Sequence, residues 1–156
     1  MRELHLTVAR EQSSDTPDPM RFWLAWLRVA TILLIAFGLF LVVAHGLTLK
    51  GFSLLVYSSS GRISEFGAEA ADYIALAHAV LGAVMVGWGT ALLLVLRGPM
   101  KRNIREGALI FAISLTCWFI PDTIFSVASG FWQNALLNLS FAVLFAIPLV
   151  ALLKRE

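Results

Sequence analysis

Between Phe119 and Asn138 the chain reads "FIPDTIFSVASGFWQNALLN", a run that sets Asp122, Ser126, Asn134 and Asn138 among apolar residues. Asp122 and Ser126 are i, i+4 neighbours, as are Asn134 and Asn138, so on helices each pair shares one face. Ser129-Gly130 is the turn signal between them, and glycine suits the left-handed residue that ends a helix. Asp122 and Asn138 lie equally far from Gly130 on either side, each about 12 Å along its helix. Ser126 and Asn134 are also equidistant from it. A regular hairpin would therefore bring the two pairs level.

An aspartate, a serine and two asparagines gathered in an apolar setting suit two kinds of chemistry. One is a ligand or proton-handling site, and the other is a polar clamp between helices. Inserting a charged aspartate at mid-membrane costs roughly 2.5–3.5 kcal/mol, so partners must offset it. His78 sits at a similar depth on another apolar stretch, and His45 lies nearer the outer surface. The expectation is that Asp122 faces inward and either pairs with His78 or is protonated and bonded to Asn138. In an acid/base enzyme acting on a lipophilic substrate, Asp122 would be the acid/base and His78 its partner. His45 and His78 lack the i, i+4 pairing of a metal-binding helix, so no metal is expected. Nor is there a Ser-His-Asp motif, a phosphate loop or a dinucleotide fingerprint.

The elements that must hold these residues follow from composition. Of 156 residues, 59% are hydrophobic and 14% charged, against about a quarter charged in soluble domains. Four apolar stretches, roughly 22–49, 71–96, 107–128 and 131–153, are each long enough to cross a hydrocarbon core of about 30 Å. The expected fold is all-α, a transmembrane antiparallel four-helix bundle. Residues 1–21 read as a polar, flexible tail and 22–156 as the membrane domain. The first span follows a polar tail and exceeds a signal-peptide core, so it is expected to be retained. In the second span Ala75, Ala79, Ala83, Gly87 and Ala91 recur as a small-residue packing ridge. Gly82 and Gly89 thin a neighbouring face, in line with His78. Pro121 is expected to kink the third span, with Pro-Asp-Thr starting a fresh helical segment.

Basic residues set the orientation. Arg97, Lys101, Arg102 and Arg105 fall between spans two and three, and Lys154 and Arg155 at the end. The positive-inside rule places this link and both termini in the cytoplasm. The link between spans one and two, about 50–70, then lies outside, as a hairpin or a re-entrant cap. A net charge of +2 gives no basis for nucleic-acid binding. The single Cys117 cannot form an intramolecular redox pair and reads as a small buried hydrophobe. Trp23 and Trp26 read as interface anchors, and Trp88, Trp118 and Trp132 as packing or pocket-lining aromatics.

The pattern W-[FY]-x-x-D-T-x-x-S-x-x-S-G-x-x-x-N-x-x-x-N falls on Trp118, Asp122, Thr123, Ser126, Ser129, Gly130, Asn134 and Asn138. With "AHAVLGAVMVGWGTALLLVL", it resembles small four-span bacterial membrane proteins of the DoxX-like group. That resemblance implies a four-helix bundle in a bacterial inner membrane and says little about activity. Three readings stand. The first is a binding or accessory protein holding a lipid, a quinone or a partner helix, which would allow a second copy or another membrane protein as partner. The second is a membrane enzyme using Asp122. The third is a small transporter or proton pathway. The inner halves of the spans, with only Thr31, Thr90, Ser114 and Thr116 as polar candidates, count against the third.

Overall fold

The computed structural model describes residues 19–154. Helices α1 (Pro19–Val43), α2 (His45–Tyr57), α3 (Ala68–Arg97), α4 (Pro99–Arg102), α5 (Ile104–Ala128) and α6 (Trp132–Leu153) follow in order, with a 3₁₀ turn at Arg62–Phe66 after α2. Helices α1, α5 and α6, and α3 taken together with the short α4 that follows it across Gly98, are each long and apolar enough to cross a membrane. In lipid every backbone polar group must be satisfied within the chain, which apolar segments of this length achieve as helices. Most of the expected tail, residues 1–18, lies outside the described residues.

The first span is shorter than its hydropathy suggests. Helix α1 stops at Val43, and Ala44 leaves helical geometry at φ −104°, ψ 43°. Backbone bonds bridge the break, from Ala44 N to Phe40 O and from Thr48 N to Ala44 O, each 2.9 Å. Residues 45–49 thus belong to α2, not to the span. No proline marks the break; His45 and Gly46 follow it, and the chain stays mostly apolar on either side. The link between the first two spans, expected as a hairpin or a re-entrant cap, is helical: it consists of α2, a left-handed Ser58 (φ 54°) and the 3₁₀ turn.

Helix α5 runs through Pro121 unbroken, so Pro-Asp-Thr begins no new segment. A proline removes one backbone donor, and the surrounding turns carry the helix across it. The start of α5 is set by Asn103, whose side chain accepts the Glu106 N–H at 3.0 Å, an N-cap bond of the usual kind. Its end is a Schellman turn: Phe131 N donates to Ser126 O at 2.8 Å and Gly130 N to Val127 O at 3.1 Å. Gly130 carries the positive φ of 82° that this turn needs.

Helix α1 packs most extensively on α3 and also on α6, while α5 packs on α6; α3 and α5 touch far less. The α1–α3 seam does not use the expected ridge of small residues. Gly87 has open space where a side chain would go, and Ala83 and Ala91 face outward. The crossing is made by Gly38 and Gly82: a Cβ on Gly38 would lie 2.7 Å from the Gly82 carbonyl oxygen, and one on Gly82 would collide with that of Gly38. His78, Gly82, Met85, Gly89, Leu92 and Leu96 form the inward face of α3, and the alanine ridge lies to one side of it.

The solid core occupies one end of the molecule. Leu27, Ala30 and Leu34 of α1 meet Leu92 and Leu96 of α3, Ala108 and Phe111 of α5, and Phe145, Leu149 and Leu152 of α6. Trp26 Nε1 donates to Leu144 O at 3.0 Å across this end. Outward faces carry apolar side chains such as Val43, Phe125 and Ile124, all well over half exposed, as lipid-facing positions would be. Cys117 is among the exposed residues, contrary to the expectation of burial, because it falls off the face that carries Phe111, Leu115 and Ser126.

Candidate functional site

The end opposite the core is where α5 and α6 turn, and there the polar residues meet. Asn134 Nδ2 donates to Asp122 Oδ1 at 3.1 Å and to Ser126 Oγ at 2.8 Å. Ser126 Oγ in turn donates to its own helix at Asp122 O, 2.7 Å, with Asp122 Oδ1 at 3.3 Å. Asp122 does face inward, but its partner is neither residue expected from sequence. Asn138 is buried one turn deeper, and its Nδ2 reaches Thr123 Oγ1 at 3.4 Å. The hairpin sets Asn134 against the Asp122–Ser126 turn, so the asparagine nearest the loop captures the carboxylate.

His78 lies near this group without bonding to it. Its Nδ1 donates to Ile74 O at 2.8 Å and its ring lies against Phe52, with centroids 4.4 Å apart. His45 is not part of the constellation. It is exposed at the first position of α2, beyond the break at Ala44. The described residues contain no group of three or more His, Cys, Asp or Glu placed to hold a metal.

Two chambers meet at Asp122. The inner one, about 350 Å³, is walled by Leu34, Phe37, Val84, Met85, Trp88, Leu115, Trp118, Phe141 and Phe145, and reaches Asp122, Asn134 and Asn138 at its polar end. The outer one, about 340 Å³, is lined by Tyr57, Ile63, Phe66, His78, Ser126 and Phe131 among others. Phe52, Asp122 and Asn134 border both. Volumes of this size are at the lower end of small-molecule sites, and an apolar wall with a few converging polar groups is their usual chemistry.

The inner chamber owes its space to the loose α3–α5 side. Trp88 Nε1 donates to Ser114 Oγ at 2.6 Å, and its ring packs on Trp118 with centroids 5.7 Å apart. This bond and this ring contact link α3 to α5 along the chamber wall. Of the five tryptophans, Trp88 and Trp118 line the chamber, whereas Trp132 is exposed. Thr31, Thr90 and Thr116 each bond to a carbonyl of their own helix. Together with the Trp88-bound Ser114, they leave no polar track running on from Asn138 through the core.

Three residues that carry the outer cap escaped sequence reasoning. Phe52, Ser53 and Gln133 all sit where hydropathy alone distinguishes nothing. Buried Ser53 donates to Ser59 O at 2.5 Å and accepts from Ile63 N at 3.3 Å. Gln133 Nε2 reaches Val56 O at 3.2 Å and ties α6 to α2. No protein-family model, curated protein or solved structure matches this chain.

Proposed function

We propose that this protein is a multi-pass inner-membrane protein that binds a lipophilic small molecule, a lipid or a quinone being the candidate classes. Its four long helices form an antiparallel bundle with both termini cytoplasmic, and the polar cluster lies in the outer leaflet. The basic residues Arg97, Lys101, Arg102 and Arg105 beside the solid core support that orientation. The likeness to DoxX-like four-span proteins belongs to the same proposal.

The observation that carries the binding reading is the inner chamber: apolar and aromatic along its walls, and closed at one end by Asp122, Asn134 and Asn138. A purely structural clamp needs the hydrogen bonds but no space beside them. The acid/base enzyme is less well supported, since His78 spends its Nδ1 proton on Ile74 O and bonds to no carboxylate among the described residues. A proton or solute pathway lacks polar residues through the core end.

The test is mass spectrometry of small molecules that co-purify with the gently solubilised protein. Wild type is compared with Asp122→Ala and with Leu137→Trp, a change on the α6 wall of the inner chamber that fills it. A species retained by wild type and lost from the folded Leu137→Trp variant is the expected result. If all folded variants retain the same molecules in the same amounts, or none retains any, the chamber is not a binding site.

A further inference from the structure

The polar end of the chamber has an unbalanced hydrogen-bond inventory. Asp122 Oδ1 receives Asn134 Nδ2 and Ser126 Oγ, but Oδ2 receives no donor from the described residues. Asn134 spends its amide protons on Asp122 and Ser126, which leaves its Oδ1 without a donor. Reversing the Asn134 amide would set its oxygen against the carboxylate, so electrostatics fixes the orientation. His78 donates from Nδ1 to Ile74 O, and its ring borders the outer chamber. No lysine or arginine lines either chamber.

Acceptors therefore accumulate where the two chambers join, and a molecule held there must bring the donors. Building on the ligand-binding reading above, we propose that the site takes an amphiphile whose head donates hydrogen bonds, as a hydroxyl or protonated amine does. Its apolar part fills the inner chamber between Trp88, Trp118 and Phe145. Its head lies beside the bonded Asp122–Asn134 pair, at Asp122 Oδ2 and Asn134 Oδ1, with Phe52 and His78 on the outer side. An acceptor-only head, such as a carboxylate or the carbonyls of an oxidised quinone, faces Asp122 Oδ2 and Asn134 Oδ1 at the junction and is discriminated against there. The donors of Asn138 and Tyr57 lie in the inner and outer chambers on either side. Discrimination of this kind is strong because a buried polar group left without its partner bears the full desolvation cost.

Head preference is read with three probes that share one tail: ω-bromoundecanol, ω-bromoundecylamine and ω-bromoundecanoic acid. Bromine on the tail quenches tryptophan fluorescence, and Trp88 and Trp118 line the chamber that should receive it. Full-length protein in a neutral detergent at neutral pH is titrated with each, beside a Trp88→Phe/Trp118→Phe variant. The alcohol and the amine should quench wild type saturably, at concentrations at least tenfold below the acid, and the double variant should lose the saturable part. Asp122→Asn, if it folds, should narrow the gap between the amine and the acid at least tenfold. The ranking in wild type is decisive even if that variant does not fold. Saturable quenching with equal affinity for all three, or tighter binding of the acid, overturns the head-group inference while the binding reading survives. If no probe quenches saturably, both fall.

Discussion

Asn134 holds Asp122 from across the hairpin: its amide donates to the carboxylate at 3.1 Å and to the adjoining Ser126 hydroxyl at 2.8 Å. One side chain of α6 thus secures a whole turn of α5. Asn138 makes only the 3.4 Å contact to Thr123. Interhelical polar contacts in membranes average about 0.6 kcal/mol, and bonds to charged groups reach about 1.5–3 kcal/mol. Asn134→Leu should accordingly cost about 1–2 kcal/mol, and Asn138→Leu less than half as much. Reversible unfolding in mixed micelles measures both, and a larger loss at Asn138 would contradict this assignment of partners.

Close approach of α1 and α3 depends on two glycines, not on the alanine ridge. A methyl group at Gly82 meets the Gly38 carbonyl, whereas one at Gly87 meets nothing within 4 Å. Backbone cannot yield as a side-chain tip can, so Gly82→Ala should force the helices apart and cost more than about 3 kcal/mol, in the range of severe overpacking. Gly87→Ala should be neutral or stabilising, by up to about 1 kcal/mol of helix propensity. Gly89→Ala falls between them, because the group in its way is the side chain of Ile35. Thermal unfolding of the three variants tests this order.

The four apolar helices and the gathering of Asp122, Ser126, Asn134 and Asn138 about one hairpin were legible because both depend on counting. The level pairs are Asp122 with Asn138 and Ser126 with Asn134; of these only Ser126 and Asn134 are bonded to each other, while Asn134 also reaches one turn along to Asp122. Gly130 fixes the turn, and equal distances along two helices from one turn put residues side by side. Bonding partners were not legible, since they depend on helix rotation: Asn134 and Asn138 share a face, and only packing decides which reaches the carboxylate. The position of His45 was misread for a different reason. The stretch from Leu41 to Leu49 stays mostly apolar across His45, Gly46 and Thr48, and the break at Ala44 has no proline to announce it, only a glycine of the kind that unbroken spans also carry. Small residues likewise mark where helices can approach, but Gly82 and Gly87 differ only in which way they face.

Helix α2 carries a local defect that can be repaired. Thr48 is 2% exposed, and its hydroxyl has no hydrogen-bond partner. A buried hydroxyl without a partner costs about 1–3 kcal/mol. Thr48→Val keeps the branched shape and removes the unmet group, so it should stabilise the protein by about 1 kcal/mol. The check is a rise in unfolding temperature with probe binding unchanged. A fall would mean that the hydroxyl has a partner in the membrane-embedded protein.

Ser53 governs the outer cap, where one buried hydroxyl joins α2 to Ser59 and to the 3₁₀ turn at Ile63. Ser53→Ala leaves the Ser59 carbonyl and the Ile63 N–H without that partner, at about 1–2 kcal/mol of local stability. The loss falls on opening of the cap rather than on global unfolding, because the core of Leu27, Phe111 and Phe145 lies at the other end. Arg62 offers a direct readout, being exposed and the sole Lys or Arg between Lys50 and Arg97. When cleavage follows the open population, trypsin should cut after Arg62 about tenfold faster in the variant, since about 1.4 kcal/mol is a factor of ten. The global unfolding temperature should move little. An unchanged cleavage rate would show that the two bonds through Ser53 do not hold the cap closed, and a matching drop in global stability would show that cap and core unfold as one unit.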